Sequence, residues 1–120
     1  MSAFFPITEI VDRYSIAKLK FNKTKNNFDE LQFYQTQMNL YDILCIKDEL
    51  EQLYEIHSNI WELESQLKRG VEHQLSLDEI GRRAIKIRDW NNKRVFLKNS
   101  MAIKLGQGNI TEIKKDHLSE

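Results

Sequence analysis

The stretch that decides the fold is SLDEIGRRAIKIRDWNNKRVFLKNSMAIKLG, residues 76–106. Ser76, followed three residues later by Glu79, has the S-x-x-E pattern of a capping box, which opens a helix. Gly106 is the residue type that commonly ends one. Between them one helical face alternates by steps of three and four: Leu77, Ile80, Ala84, Ile87, Asn91, Arg94, Lys98, Met101 and Leu105. This pattern predicts one long helix over about residues 76–105.

The middle of this line is polar, because Asn91, Arg94 and Lys98 stand where apolar residues would continue it. A buried polar or charged group without a partner costs about 1–3 kcal/mol or more. We therefore expect these three side chains to meet other protein groups or a bound anion.

A second long helix is predicted over about residues 46–69, with Gly70 as its end. Its line has the spacing of helices that pack side by side. The members of that line are Ile46, Leu50, Leu53, His57, Ile60, Glu64 and Leu67. Only residues 70–76 separate the two long helices, so we expect an antiparallel hairpin that places His57 near residues 88–91.

Two shorter helices are expected before the hairpin, at about residues 6–23 and 28–40. Asn27, with Glu30 three residues on, is typical of an N-cap, and a break is expected near residues 41–46. One proline and four glycines in 120 residues also favour helices. The predicted fold is an all-α antiparallel bundle of three to four helices, one domain over residues 1–120, with residues 107–120 as a loosely ordered tail.

Composition narrows the function classes without naming one. The 18 basic and 18 acidic residues cancel, which argues against a dedicated nucleic-acid or membrane-surface binder. No apolar run approaches the ~20 residues that span a bilayer, and the start MSAFFPITEI lacks the features of a secretion signal. A single cysteine, Cys45, suits a reducing compartment. These features predict a cytoplasmic protein with neither a membrane nor a nucleic acid as partner.

Charge is unevenly distributed along the chain. Residues 48–67 contain six acidic residues and no Lys or Arg, whereas residues 13–25 and 82–98 are basic. The basic helices could bind phosphate groups. We favour the alternative that they flank the acidic helix and neutralise it within the fold.

Three segments resemble a known family in the same order: ITEIVDRYSIAKLK, WELE and NNKRVFLKNSMAIKLG. Over roughly residues 6–114 the chain is similar to the DUF6165 proteins, a family of small bacterial proteins of unknown function. The matching residues are Glu9, Asp12, Lys20, Trp61, Glu62, Glu64, Asn91, Arg94, Leu97, Lys98, Leu105 and Gly106. The chain departs from the family pattern at Lys18 and His57. The resemblance implies a helical fold, offers no activity, and adds Asp12 and Lys20 to the polar residues of interest.

The candidate ligand-binding residues are therefore Asp12, Lys20, His57, Glu64, Asn91, Arg94 and Lys98. Three interpretations stay open: an internal network that fixes helix register, a polar dimer interface, or a cavity for an anionic ligand. We expect first a helix-mediated interaction protein that self-associates. The alternative is a binder or enzyme for a carboxylate or sugar phosphate, in which Glu64 or His57 would be the acid or base.

No metal site or cofactor is expected. His57, His73 and His117 are far apart in the sequence and form no H-E-x-x-H pattern. Cys45 is expected to be a buried small apolar residue, and GQGN at residues 106–109 lacks the helix that must follow a phosphate-binding loop. Whether the protein is an enzyme is left open by the sequence.

Overall fold

The computed structural model describes residues 6–72 and 75–106. This part of the chain folds into four α-helices joined by short connections, with one turn of 3-10 helix at Leu44–Ile46 and no strand. The helices are α1 (Ile7–Thr24), α2 (Phe28–Met38), α3 (Lys47–Glu72) and α4 (Leu77–Lys104). The all-α prediction is confirmed, whereas the predicted tail, residues 107–120, lies outside the described residues.

The predicted hairpin is formed by α3 and α4, which pack against each other. Arg83 donates a hydrogen bond to Gln66 near the turn, and Lys104 pairs with Glu49 at the opposite end. These two contacts establish that α3 and α4 run antiparallel.

The residues predicted to cap the two long helices do so with one exception. The Ser76 hydroxyl accepts a hydrogen bond from the Glu79 amide at 3.1 Å, which is the predicted N-cap. Gly106, with φ +75°, adopts the left-handed conformation just past the end of α4. The prediction that Gly70 ends α3 is wrong, because the helix continues to Glu72. A glycine inside a helix costs only about 1 kcal/mol, which packing against a neighbouring helix can outweigh.

The first helix is the centre of the molecule, since α1 packs against α2, α3 and α4. Its buried residues lie on several sides of the helix. The shared core contains Ile7, Ile10, Val11, Met38, Ile46, Leu53, Ile56, Ile60, Leu97 and Met101. Three polar residues of α1, Thr8, Asp12 and Ser15, are also buried.

The connections on either side of α2 bear on two predictions, the N-cap at Asn27 and the break near residues 41–46. Asn27 precedes α2 as expected, but its side chain makes no capping hydrogen bond. Its amide instead donates to the Ala17 carbonyl and to Glu30, both at 3.0 Å. The predicted break is confirmed between Met38 and Lys47, where Ile46 is fully buried and anchors the 3-10 turn.

Three predictions of burial are wrong. Cys45 is exposed, because the 3-10 turn buries Ile46 and leaves its neighbour on the outside. Glu64, on α3, is also exposed. Leu77 is 86% exposed, since it is the first residue of α4 and precedes the part of the helix that packs on the core.

None of the helices within the described residues is long and apolar enough to cross a membrane.

Candidate functional site

Two residues of the polar line of α4, Arg94 and Lys98, meet Asp12, a carboxylate on α1 that is only 2% exposed. His57 of α3 places its Nε2 atom 2.8 Å from Asp12 Oδ1. Arg94 of α4 donates from Nη1 to Asp12 Oδ2 at 2.7 Å. One buried carboxylate therefore joins the three helices of the core, and we call this group the Asp12 network: Glu9, Asp12, His57, Arg94 and Lys98.

Lys98 completes the Asp12 network on its inner side. Its Nζ atom donates to Glu9 Oε2 at 2.9 Å and lies 3.6 Å from Asp12 Oδ2. Glu9 also accepts a hydrogen bond from Arg13 Nε at 3.4 Å, one helical turn away on α1. Each buried charge in the network thus lies close to an opposite charge, which is the condition for burying it at a tolerable cost.

Burial and charge act against each other on the pKa of Asp12. Desolvation is the largest single effect and raises it, because burial disfavours a carboxylate. The hydrogen bond from His57 and the positive charges of Arg94 and Lys98 together outweigh desolvation. The pKa of Asp12 is therefore below its ordinary value, and the side chain is ionised at neutral pH. An ionised carboxylate only accepts hydrogen bonds, so His57 carries its proton on Nε2.

A cleft of about 320 Å³ opens beside this network between α1, α3 and α4. Its walls are apolar and come from Ile16 and Leu19 of α1 and from Ile60 and Trp61 of α3. Its polar lining consists of His57, Glu64, Asn91 and Arg94. Apolar walls with a few convergent polar groups are typical of small-molecule sites, and this volume lies at the lower end of their range of ~300–1,000 Å³.

The structure divides the seven sequence-predicted residues into three groups. His57, Glu64, Asn91 and Arg94 line the cleft together. Asp12 and Lys98 lie behind Arg94 in the buried network and do not line the cleft. Lys20 lies apart from both groups, with its Nζ atom 3.6 Å from Glu30 at the contact between α1 and α2.

Sequence reasoning missed Glu9 and the apolar walls of the cleft. Glu9 lies three residues before Asp12, so the two carboxylates share one face of α1, and this spacing was a usable signal. Ile16 and Leu19 lie one and two turns further along that face. Their position indicated that α1 contacts more than one neighbour, but not that they enclose a cleft with Trp61.

A second surface lies on the other side of α4, away from the Asp12 network. Three apolar residues there are strongly exposed: Ile85 at 45%, Phe96 at 76% and Ile103 at 67%. At 100° per residue they fall within about 20° of one another on the helix. We call these three residues the outer stripe. Beside it, a groove of about 730 Å³ runs between α3 and α4, with Ile56, Trp90 and Leu97 in its lining.

Within residues 6–72 and 75–106, no three His, Cys, Asp or Glu side chains gather in an arrangement that could hold a metal ion. Cys45 lies on the surface, with its Sγ atom 3.9 Å from the Lys104 carbonyl oxygen.

The chain matches no family model, no curated protein and no solved structure. The resemblance to the DUF6165 proteins therefore stays a prediction, and the geometry of this chain alone supports the functional proposals below.

Proposed function

We propose that the protein functions through self-association, by pairing the outer stripes of two copies of α4. The observation that carries this proposal is the exposure of Phe96, at 76%, beside a groove that the other described residues leave open. Large apolar side chains that lie exposed together on one helix face mark interaction surfaces. The Asp12 network does not supply this contact, because its charged groups pair within the chain.

The spacing of the outer stripe suits a second copy in the antiparallel direction. Ile85 lies seven residues before Asn92, and Ile103 lies seven residues after Phe96. With a twofold axis between residues 92 and 96, Ile85 of one copy would lie opposite Ile103 of the other. Each Phe96 would then enter the groove of the other copy. Such an interface uses the same patch on both subunits, as a twofold dimer requires.

The size of this surface predicts a weak dimer. Residues 85–103 span about 27 Å of helix, and a helix is about 10 Å wide, so the stripe offers about 300 Å² per subunit. Stable interfaces bury about 800 Å² per partner. We therefore expect a dissociation constant in the micromolar range.

Sedimentation equilibrium tests this proposal over protein concentrations from about 1 to about 500 µM, which bracket a micromolar dissociation constant. We expect wild-type protein to form dimers and Phe96→Ser to weaken them at least about tenfold, because buried interface aromatics are often worth 2 kcal/mol or more. Phe33→Ser is the matched control, since Phe33 is 55% exposed on α2. A wild-type monomer at the highest concentration, or an unchanged Phe96→Ser dimer, would contradict the proposal.

A second candidate function is the binding of a small carboxylate in the cleft. The convergence of Asn91 and Arg94, both hydrogen-bond donors, on an apolar cleft of ligand size favours it. Arg94 Nη1 is used by Asp12, and among the described residues no other partner contacts the remaining guanidinium N–H groups. An enzymatic role for His57 or Glu64 as acid or base remains a prediction beyond this candidate.

An NMR titration with propionate tests the second candidate. We expect saturable shifts of cleft amides and a loss of these shifts in Asn91→Leu, which removes a donor without touching the Asp12 network. Asn59→Leu is the control, because Asn59 lies on the groove side of α3. Shifts that are absent in the wild type, or unchanged in Asn91→Leu, would remove this candidate.

A further inference from the structure

The charge at the cleft is unfavourable for a ligand that is only an anion. Arg94 contributes one positive charge, but Asp12 lies against it at 2.7 Å and matches that charge. The other charged lining residue is Glu64, whose carboxylate is exposed and has no ion-pair partner among the described residues. An anion would therefore meet hydrogen-bond donors at Arg94 and repulsion from Glu64.

The donors and the acidic residue lie at opposite ends of the cleft. Arg94 and His57 both contact Asp12, so they lie at the same level of the hairpin. Glu64 lies seven residues beyond His57, about 10 Å further along α3. Because α4 is antiparallel to α3, Asn91 lies between these levels, about one turn from Arg94. The cleft thus has donors at its inner end and a carboxylate at its outer end.

The space between these ends is lined by apolar side chains. Ile60 and Trp61 come from α3 between His57 and Glu64, and Leu19 faces them from α1. A volume of about 320 Å³ suits a compact ligand with one apolar group.

We propose that the cleft binds a zwitterionic α-amino acid with an apolar side chain. Its carboxylate accepts hydrogen bonds from Asn91 and Arg94. Its ammonium group is attached to the neighbouring carbon, and Glu64 reaches that group because side chains in a helix lean toward its N-terminus, here toward His57. Its apolar side chain packs on Trp61. A zwitterion brings no net charge to the cleft, so the repulsion that opposes a simple anion is replaced by an attraction. This inference rests on the second candidate function and specifies its ligand class.

The test compares three probes that share one apolar group. L-Leucine carries both charges, 4-methylpentanoate carries only the carboxylate, and 3-methylbutylamine carries only the ammonium group. NMR titrations with the Trp61 indole N–H as reporter give an affinity for each. We expect leucine to bind at least about tenfold more tightly than either single-charge analogue, which corresponds to about 1.4 kcal/mol.

Two glutamine variants assign the preference to one residue. Glu64→Gln is expected to bind leucine and 4-methylpentanoate with equal affinity. Glu62→Gln, an exposed acid on the same helix that pairs with Arg69, is expected to retain the preference of the wild type. Both positions are exposed, so neither change should disturb folding.

The outcomes separate this inference from the function on which it rests. Equal binding of leucine and 4-methylpentanoate by the wild type would overturn the amino-acid inference and leave the carboxylate-binding candidate standing. Binding of none of the three probes would overturn both. A leucine preference that persists in Glu64→Gln would show that Glu64 does not hold the ammonium group and would overturn the inference.

Discussion

Asp12 is the residue on which the packing of three helices depends. It is almost completely buried, and its two oxygen atoms contact His57 of α3 and Arg94 of α4. Breaking a buried ion pair by removing one partner typically costs about 3–5 kcal/mol, because the other charge is left uncompensated. A shift of α4 by one turn relative to α1 would separate these groups at a similar cost. The network therefore specifies how the helices align as well as holding them together.

Acid should destabilise the protein in part through Asp12. The pKa of Asp12 is lower in the folded protein than in the unfolded chain, where it is about 3.9. The stability that this difference provides is complete above the unfolded value and is lost as the pH falls through the folded value. We expect the free energy of unfolding, measured with urea, to decrease below about pH 4 in the wild type.

Asp12→Asn is the matched variant for this prediction and should show a shallower decrease over the same pH range. Glu49 and Glu79 also have lowered pKa values, through hydrogen bonds from Lys104 and Arg82, but both residues are present in the variant. The difference between the two proteins therefore isolates Asp12. Identical pH profiles would show that Asp12 is not an important source of the acid sensitivity.

At the scale of helices, local sequence defines the ends of α4 and its inner line. Ser76 caps the first turn and Gly106 closes the last, while the residues between them place Met101 and Lys98 against the core. The helix also contains Gly81, where an added Cβ atom would meet nothing within 4 Å. The capping residue and the glycine give two tests of how local preferences contribute to α4.

Removing the cap should weaken the protein. We expect Ser76→Ala to lower the free energy of unfolding by about 0.5–2 kcal/mol, since the Glu79 amide loses its hydrogen bond. Chemical denaturation provides the measurement, with Ser65→Ala, inside α3, as the control. A change in Ser76→Ala no larger than that in Ser65→Ala would mean that the cap contributes little.

Replacing the glycine should have the opposite effect. Gly81→Ala is expected to raise the free energy of unfolding by up to about 1 kcal/mol, because alanine loses less backbone entropy in a helix and no neighbour obstructs its methyl group. The same denaturation experiment measures it. A lower stability in Gly81→Ala would indicate a contact at this position that the structure does not contain.

The helices could be predicted from the sequence more fully than the contacts between them. Helical spacing identified Arg94 and Lys98 as inward-facing, since this line of α4 continues into Met101. The same spacing did not reveal that α1 would neutralise them. Glu9 lies in the first turn of α1 and Asp12 directly after it, where acids are favoured by the helix dipole. Their spacing placed both on one face of α1, but it did not show which helix that face would meet. Which faces meet depends on packing between residues more than 80 positions apart.

For the outer stripe, in contrast, the helical spacing was present in the sequence but was missed. Ile85, Phe96 and Ile103 share a second line along α4, with steps of four and three through Asp89, Asn92 and Asn99. The inner line of α4 contains more apolar residues, so it explained the helical periodicity of residues 76–106 without the outer stripe. Only the exposure of Phe96 and Ile103 in the folded chain separates the two faces.

In the whole molecule, the charges pair differently from the prediction, in which the basic helices flank the acidic helix α3 and neutralise it. The acidic helix α3 pairs with α4 through Glu49 and Lys104 at one end of the hairpin. The inward cations Arg94 and Lys98 pair with α1 instead. As a result α4 has one face that pairs within the fold and a second face on which the outer stripe is exposed. The pairing of the inner face of α4 with Asp12 of α1 is the central claim of our account.

A double-mutant cycle between Asp12 and Arg94 tests that claim most directly. The free energy of unfolding is measured for wild type, Asp12→Asn, Arg94→Met and the double variant, with the same concentration of sucrose in each sample to keep the single variants folded. If Arg94 faces α1, the double variant loses at least about 1 kcal/mol less than the two single losses combined. Losses that add to within about 0.3 kcal/mol would mean that these side chains do not interact and would contradict the account.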